Sequence, residues 1–139
     1  SQDILQGHIA DNMKFIYDIP ENCQVIGHES LLTNALLNLI YNAAQHSGGT
    51  KISLCWLHEE NNMHIFTFAD NGVGVDEESL PRLFDLFYRT DAGRSRKNGG
   101  SGLGIPIVRR IIVALGGDIT ATNAETGGLK FTFSLPAAK

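Results

Sequence analysis

Between residues 30 and 46, apolar side chains recur at Leu32, Ala35, Leu36, Leu39, Ile40 and Ala43, and this spacing of threes and fours predicts a helix with one buried face. Such a helix needs a surface to lie on. The residues that follow supply one: Lys51 to Leu57 and Met63 to Ala69 alternate with the two-residue period of strands, joined as a hairpin through His58 to Asn62. Two earlier strand-like stretches, Lys14 to Ile19 and Gln24 to Ile26, are broken by Pro20 and Asn22, and two later ones, Asp118 to Asn123 and Leu129 to Leu135, flank the turn-like Glu125 to Gly128. Helix spacing returns at Leu103, Ile107, Ile111 and Leu115, closed by Gly116 and Gly117, and a short helical stretch covers Glu77 to Phe84. Segregated helices and hairpin strands predict an α+β two-layer sandwich, in which about three helices cover one face of a mixed sheet of about five strands. A dinucleotide-binding fold does not fit. The glycines at 100, 102 and 104 miss the G-x-G-x-x-G spacing, and no lysine follows them as in a P-loop.

Composition bounds the function. With 139 residues the chain is one domain, 1–139, and 42% apolar against 19% charged residues describe a globular protein. No run of 18 apolar residues is present to span a bilayer. A formal charge of −4 argues against a broad grip on nucleic acid, although Arg89, Arg94, Arg96 and Lys97 concentrate positive charge locally. Cys23 and Cys55 are too few and too distant for a disulfide scaffold or a zinc site, so a reduced compartment, the cytoplasm, is expected. A start at Ser1 rather than Met suggests an excised domain with its targeting segments elsewhere. The five histidines are scattered: they form no ligand cluster, and each is expected to be satisfied or exposed.

Three segments offer chemistry. Asn34, Asn38, Asn42 and Gln45 form a polar stripe beside the apolar face of the long helix. It is either a solvated face or a row of amides kept for a ligand, with the Asn42 oxygen a candidate for Mg2+. In the strand Met63 to Ala69, His64, Phe66 and Phe68 share one side, and Asp70 continues it. If the phenylalanines face the core, so does the carboxylate, and a buried carboxylate needs donors such as an amine on a bound heterocycle. The alternative is an ordinary Asp-Asn-Gly turn, with Gly72 and Gly74 allowing close backbone approach. Finally, Gly99 to Gly104, reading GGSGLG, precede a helix, where amides and the helix dipole converge on an anion such as phosphate; a flexible loop joined to a cap is the plainer reading. The basic segment before it, about 85–101, is long for a connection in a compact domain.

The order and spacing of these segments resemble the ATP-binding catalytic domain of sensor histidine kinases, within the superfamily that includes DNA gyrase, heat-shock chaperones and mismatch-repair ATPases. Asn38, Leu39, Asn42 and Ala43 resemble its N box, Asp70, Gly72 and Gly74 its G1 box, Phe84, Phe87, Tyr88 and Arg89 its F box, and Gly100, Gly102, Leu103 and Gly104 its G2 box. Gly127 and Gly128 before Phe131 are similar to a weaker final box. The resemblance implies the Bergerat fold, with ATP between the long helix and the glycine-rich segment, and residues 85–101 as the ATP lid. It implies that Asp70 recognises the adenine amino group, that Asn42 coordinates Mg2+ and that Asn38 and Asn42 are the catalytic pair. Gln45, His46, Gly72, Gly74, Phe87, Tyr88, Arg89, Gly100, Ser101, Gly102, Leu103 and Gly104 complete the implied nucleotide contacts. Implied partners are ATP or ADP, a helical dimerisation and phosphoacceptor domain of the same parent, and a response regulator. The parent is expected to be membrane-anchored, as many relatives are.

Asn38 helps to choose among branches. Hydrolysing relatives and serine kinases typically carry a glutamate four residues before the magnesium asparagine, and an amide cannot take a proton as that carboxylate does. Transfer to an already nucleophilic imidazole is therefore expected. The acceptor motif is missing, since neither His28 nor His58, each followed by glutamate, continues into it. The fragment is expected to bind nucleotide without phosphorylating itself. Gln45 stands where many relatives carry a basic residue, and His28 where aspartate is common; a degenerate docking domain and a free-standing ATPase are the alternatives.

Overall fold

The computed structural model describes residues 5, 7, 13–21, 23–25, 27–46, 50–85, 104–124 and 127–138, with the backbone but not the side chains of 45 and 46. Strand β1 (Lys14–Asp18) is followed by helix α1 (Glu29–His46), β2 (Lys51–Glu60), β3 (Met63–Asp70), a 3-10 turn (Leu80–Arg82), α2 (Gly104–Ala114), β4 (Ile119–Asn123) and β5 (Leu129–Pro136). The strands form one sheet in the order β1-β2-β3-β5-β4. Only β1 and β2 run parallel; their connection passes through α1, the crossover that a parallel pair requires. All other pairs are antiparallel, so the sheet is mixed as expected.

The β2–β3 hairpin is tighter than the sequence suggests. Both strands run to a two-residue loop, Asn61 and Asn62, whose φ values of 53° and 64° are the left-handed pair asparagine tolerates and a twisted hairpin favours. Pairing slips at Leu57, between Trp56 and His58, where a bulge leaves that leucine exposed.

Along β3 and β5 every second residue is buried, and Phe66 and Phe133, paired in register, stack at 5.2 Å. Cross-strand pairing puts Ile52, Leu54, Phe68, Phe131 and Leu135 on that same face, and they share a core with Ala35, Leu39, Ile40 and Ala43 of α1 and Val108 and Ile112 of α2. The helices therefore cover one face. On α1 the expected Ala35, Leu39, Ile40 and Ala43 are buried, whereas on α2 Ile107 is 38% exposed and the buried side is formed by Ile105, Val108, Ile111 and Ile112. Pro106 sits in the first turn of α2, where its missing N–H leaves no helical bond unmade. That helix ends in a Schellman motif, with Gly116 N–H donating to Val113 and Gly117 N–H to Ile112, each at 3.0 Å.

Two expected elements are reduced. The stretch Glu77 to Phe84 holds only the three-residue 3-10 turn, because Pro81 within it has no N–H to continue a ladder. Of Gln24 to Ile26, Val25 forms an isolated bridge to Ala137 and the Gln24 carbonyl accepts from Ala138 N–H at 3.0 Å, while Ile26 lies outside the described residues. The described residues thus contain two α-helices where about three were expected.

His64 is buried and accepts a 3.0 Å hydrogen bond at Nδ1 from the Trp56 indole, which makes it a satisfied core histidine. Cys23 and Cys55 are free, half-buried thiols whose pKa values burial pushes up. No helix is long and apolar enough to cross a membrane among the described residues.

Candidate functional site

Asp70 ends β3 on the helix-covered face, opposite Ile52, and is only 8% exposed. The two-period rule therefore held through the last residue of the strand. Its Oδ1 accepts from Gly72 N–H at 2.9 Å and Leu129 N–H at 3.3 Å, while Oδ2 has no hydrogen-bond partner among the described residues. Burial raises the carboxyl pKa, and the two backbone N–H donors oppose the rise. One oxygen is thus committed to the fold, and the other makes no hydrogen bond to the described residues.

Residues around Asp70 hold this acid in place. Gly128 lies so close to Asp70 that a Cβ there would run into its carbonyl oxygen and come within 2.8 Å of Oδ1. The Asn123 amide clamps Val75 across 48 residues, accepting from its N–H at 3.0 Å and donating to its carbonyl at 2.6 Å. Gly74 owes its place to that clamp, because a Cβ would lie 2.6 Å from Asn123 Oδ1. Asn71 accepts from Thr50 and Lys51 N–H groups, both at 2.8 Å, and donates to Thr50 Oγ1 at 3.2 Å. It ties the loop after Asp70 to the start of β2. Replacing Asn71 with alanine is expected to cost about 1–2 kcal/mol, measured by urea denaturation, because three exposed hydrogen bonds are lost together.

On α1, Asn38 and Asn42 are half-buried beside the core stripe, and Asn34 is exposed. The Asn38 Nδ2 donates to both the Asn34 carbonyl and its Oδ1 at 2.9 Å, so this amide is turned back along the helix. Asn42 has no side-chain partner among the described residues, which leaves a hard, half-buried amide oxygen unengaged. Among the described residues no group of three His, Cys, Asp or Glu side chains could hold a metal. One amide oxygen suits Mg2+, which takes most of its ligands from water and phosphate. Gly104 opens α2, which packs beside α1. The expected residues Phe87, Tyr88, Arg89, Gly100, Ser101, Gly102 and Leu103, the lid beyond Asp85, and the side chains of Gln45 and His46 lie outside the described residues.

Residues 27–139 match the model of the histidine kinase-, DNA gyrase B- and HSP90-like ATPases. The chain belongs to that family. Within it, this ATPase domain is of the sensor histidine kinase type. It is 40% identical over 119 residues to the phosphate regulon sensor protein PhoR of Haemophilus influenzae, covering 85% of this chain and 28% of that protein. It is 35% identical over 128 residues to the sensor histidine kinase WalK of Bacillus subtilis, covering 90% of this chain and 21% of WalK. The chain thus spans about a quarter of the length of these relatives. The solved mycobacterial sensor histidine kinase MprB superposes with a TM-score of 0.82 at 25% identity, over 98% of this chain and 90% of that one. Full-length ShkA, solved with AMPPNP, gives 0.79 at 25% identity, over 99% of this ATPase domain and 28% of ShkA. The expected Bergerat sandwich is therefore the observed fold.

Proposed function

We propose that this domain binds Mg-ATP and donates the γ-phosphoryl group to a histidine on a separate helical dimerisation domain, from which a response regulator receives it. The observation that carries this reading is the buried Asp70, whose Oδ1 is taken by two backbone donors and whose Oδ2 is left to accept from the 6-amino group of adenine. Guanine would present a carbonyl oxygen there, acceptor against acceptor. Asn42 would hold the Mg2+ that accompanies the triphosphate, and the α2 N-terminus, opening at Gly104, would offer its amides to the phosphates. Gln45, His46, Gly72, Gly74, Phe87, Tyr88, Arg89, Gly100, Ser101, Gly102 and Leu103 complete the proposed nucleotide contacts. ATP and the regulator are cytoplasmic reagents, so the domain would work on the cytoplasmic side of a membrane-anchored parent.

Asn38 separates kinase from ATPase. A water-activating base must be able to take a proton, and this amide donates to Asn34 instead. Catalysis then reduces to positioning and charge neutralisation around the transferred group. The test mixes this domain with γ-labelled Mg-ATP and the histidine-bearing helical domain of its parent. Label is expected on the helical domain and is expected to fall at least tenfold with Asn42→Ala. Steady phosphate release without the acceptor, unaffected by adding it, would instead identify a free-standing ATPase; absence of saturable ATP binding would identify a docking domain.

A further inference from the structure

Arg109 belongs to none of the four boxes, yet it joins three parts of the fold. Its guanidinium carbon sits 5.3 Å from the centroid of the Phe84 ring. That ring meets Phe131 in a T-shaped contact at 6.2 Å. Phe131 pairs with Phe68 and lies two residues beyond Leu129, the donor to Asp70, on the same face of β5. From the other side, Arg109 Nε approaches Asp118 Oδ1 at 3.6 Å. That carboxylate is itself fixed, because Oδ1 also accepts from Ile119 N–H at 2.8 Å and the Asp118 N–H donates to Ser134 Oγ at 3.1 Å. A chain of contacts therefore runs from the start of β4 through Arg109 and Phe84 to β5, whose Leu129 N–H bonds Asp70.

The energetics argue for orientation rather than stability. The ion pair is about half exposed on both sides and contributes little to folding. A cation beside a half-buried ring, with its own head still in water, is similarly modest. What the arrangement does is restrict one ring: Phe84 is held between Arg109 of α2 and Phe131 of β5. Phe84 ends the stretch that leaves Asp70, passes the Val75–Asn123 clamp and returns beneath α2. Its position on the Asp70 side of the sandwich thus depends on a helix that begins only five residues before Arg109.

We propose that Arg109 is a positioning residue of the nucleotide site, acting through Phe84; this inference rests on the ATP-binding reading above. A planar guanidinium suits the role because it stacks on the ring while pairing with Asp118, which an ammonium does less well.

The test measures Mg-ATP dissociation constants and melting temperatures for the wild-type domain, Arg109→Met, Arg109→Lys, Phe84→Leu, the Arg109→Met/Phe84→Leu double variant and Asp118→Asn. Arg109→Met is expected to raise Kd about 3- to 10-fold while melting within about 2 °C of the wild type. Lysine should recover part of the affinity, and Asp118→Asn should produce a smaller rise. The double variant should bind no worse than its weaker parent, as residues acting through one contact do. Unchanged Kd in Arg109→Met, or independent multiplication of the two single effects, overturns the proposal. Asp70→Asn serves as the control: if it loses ATP while Arg109→Met does not, only this inference fails. No saturable binding by the wild-type domain would overturn the ATP reading and this inference with it.

Discussion

Asparagine in place of Asp70 is expected to weaken Mg-ATP binding about 10- to 100-fold, the range of a lost charge-assisted hydrogen bond. The change is conservative for the fold. The amide oxygen can still accept from Gly72 and Leu129, as Oδ1 does now. On the ligand side, however, an NH2 group replaces the accepting Oδ2 and meets the adenine amine donor to donor. Inosine triphosphate, with a carbonyl at the same ring position, should lose no affinity, so calorimetry with both nucleotides separates a recognition defect from general damage. Equal loss for the two would remove Asp70 from its assigned role.

The same variant makes a stability prediction of opposite sign. Burial raises the Asp70 pKa in the folded domain, so without nucleotide the fold holds this proton more tightly than the unfolded chain does. That contribution is complete below the unfolded carboxyl value and is lost as pH rises through the raised folded value. Asparagine has nothing to ionise and escapes the loss. Denaturation across this window should therefore show the variant gaining on the wild type as pH rises, even as it loses ATP. A site residue that binds better than it folds is a familiar trade between function and stability.

The second large effect is expected at Gly128. A methyl group there would collide with the Asp70 carbonyl, and the φ of 92° is a left-handed conformation that costs a side chain strain. Overpacking and strain together should destabilise Gly128→Ala by about 3 kcal/mol or more, a large share of a small domain's total. Gly127 is a built-in comparison, since its φ is 105° but the nearest atom to an added Cβ is Gly72 O at 3.7 Å. Gly127→Ala should cost only the strain, about 1–2 kcal/mol. Similar melting temperatures for the two variants would contradict the close approach at Gly128.

What the sequence disclosed follows from the range of each interaction. The buried faces of α1 and β3, and the inward aim of Asp70, are periodic and were readable from neighbours a few residues apart. The Asn123 clamp on Val75 spans 48 residues and the Leu129 bond to Asp70 spans 59, and no local pattern encodes either. Gly74 was noticed for its backbone freedom, whereas the crossing Asn123 side chain gives it a second, steric reason. Asn71 read as a turn residue, and its grip on Thr50 and Lys51 depends on β2 lying next to β3. The short helix expected over Glu77 to Phe84 gives way to a 3-10 turn around Pro81.

The paired asparagines at the tip of the long hairpin lie at the far end of β3 from Asp70, about 26 Å away at the usual rise per strand residue. That distance makes the tip a natural anchor for a fluorescent dye or an immobilising tag. A reporter attached there would stay clear of the ligand and leave the chemistry to be watched undisturbed.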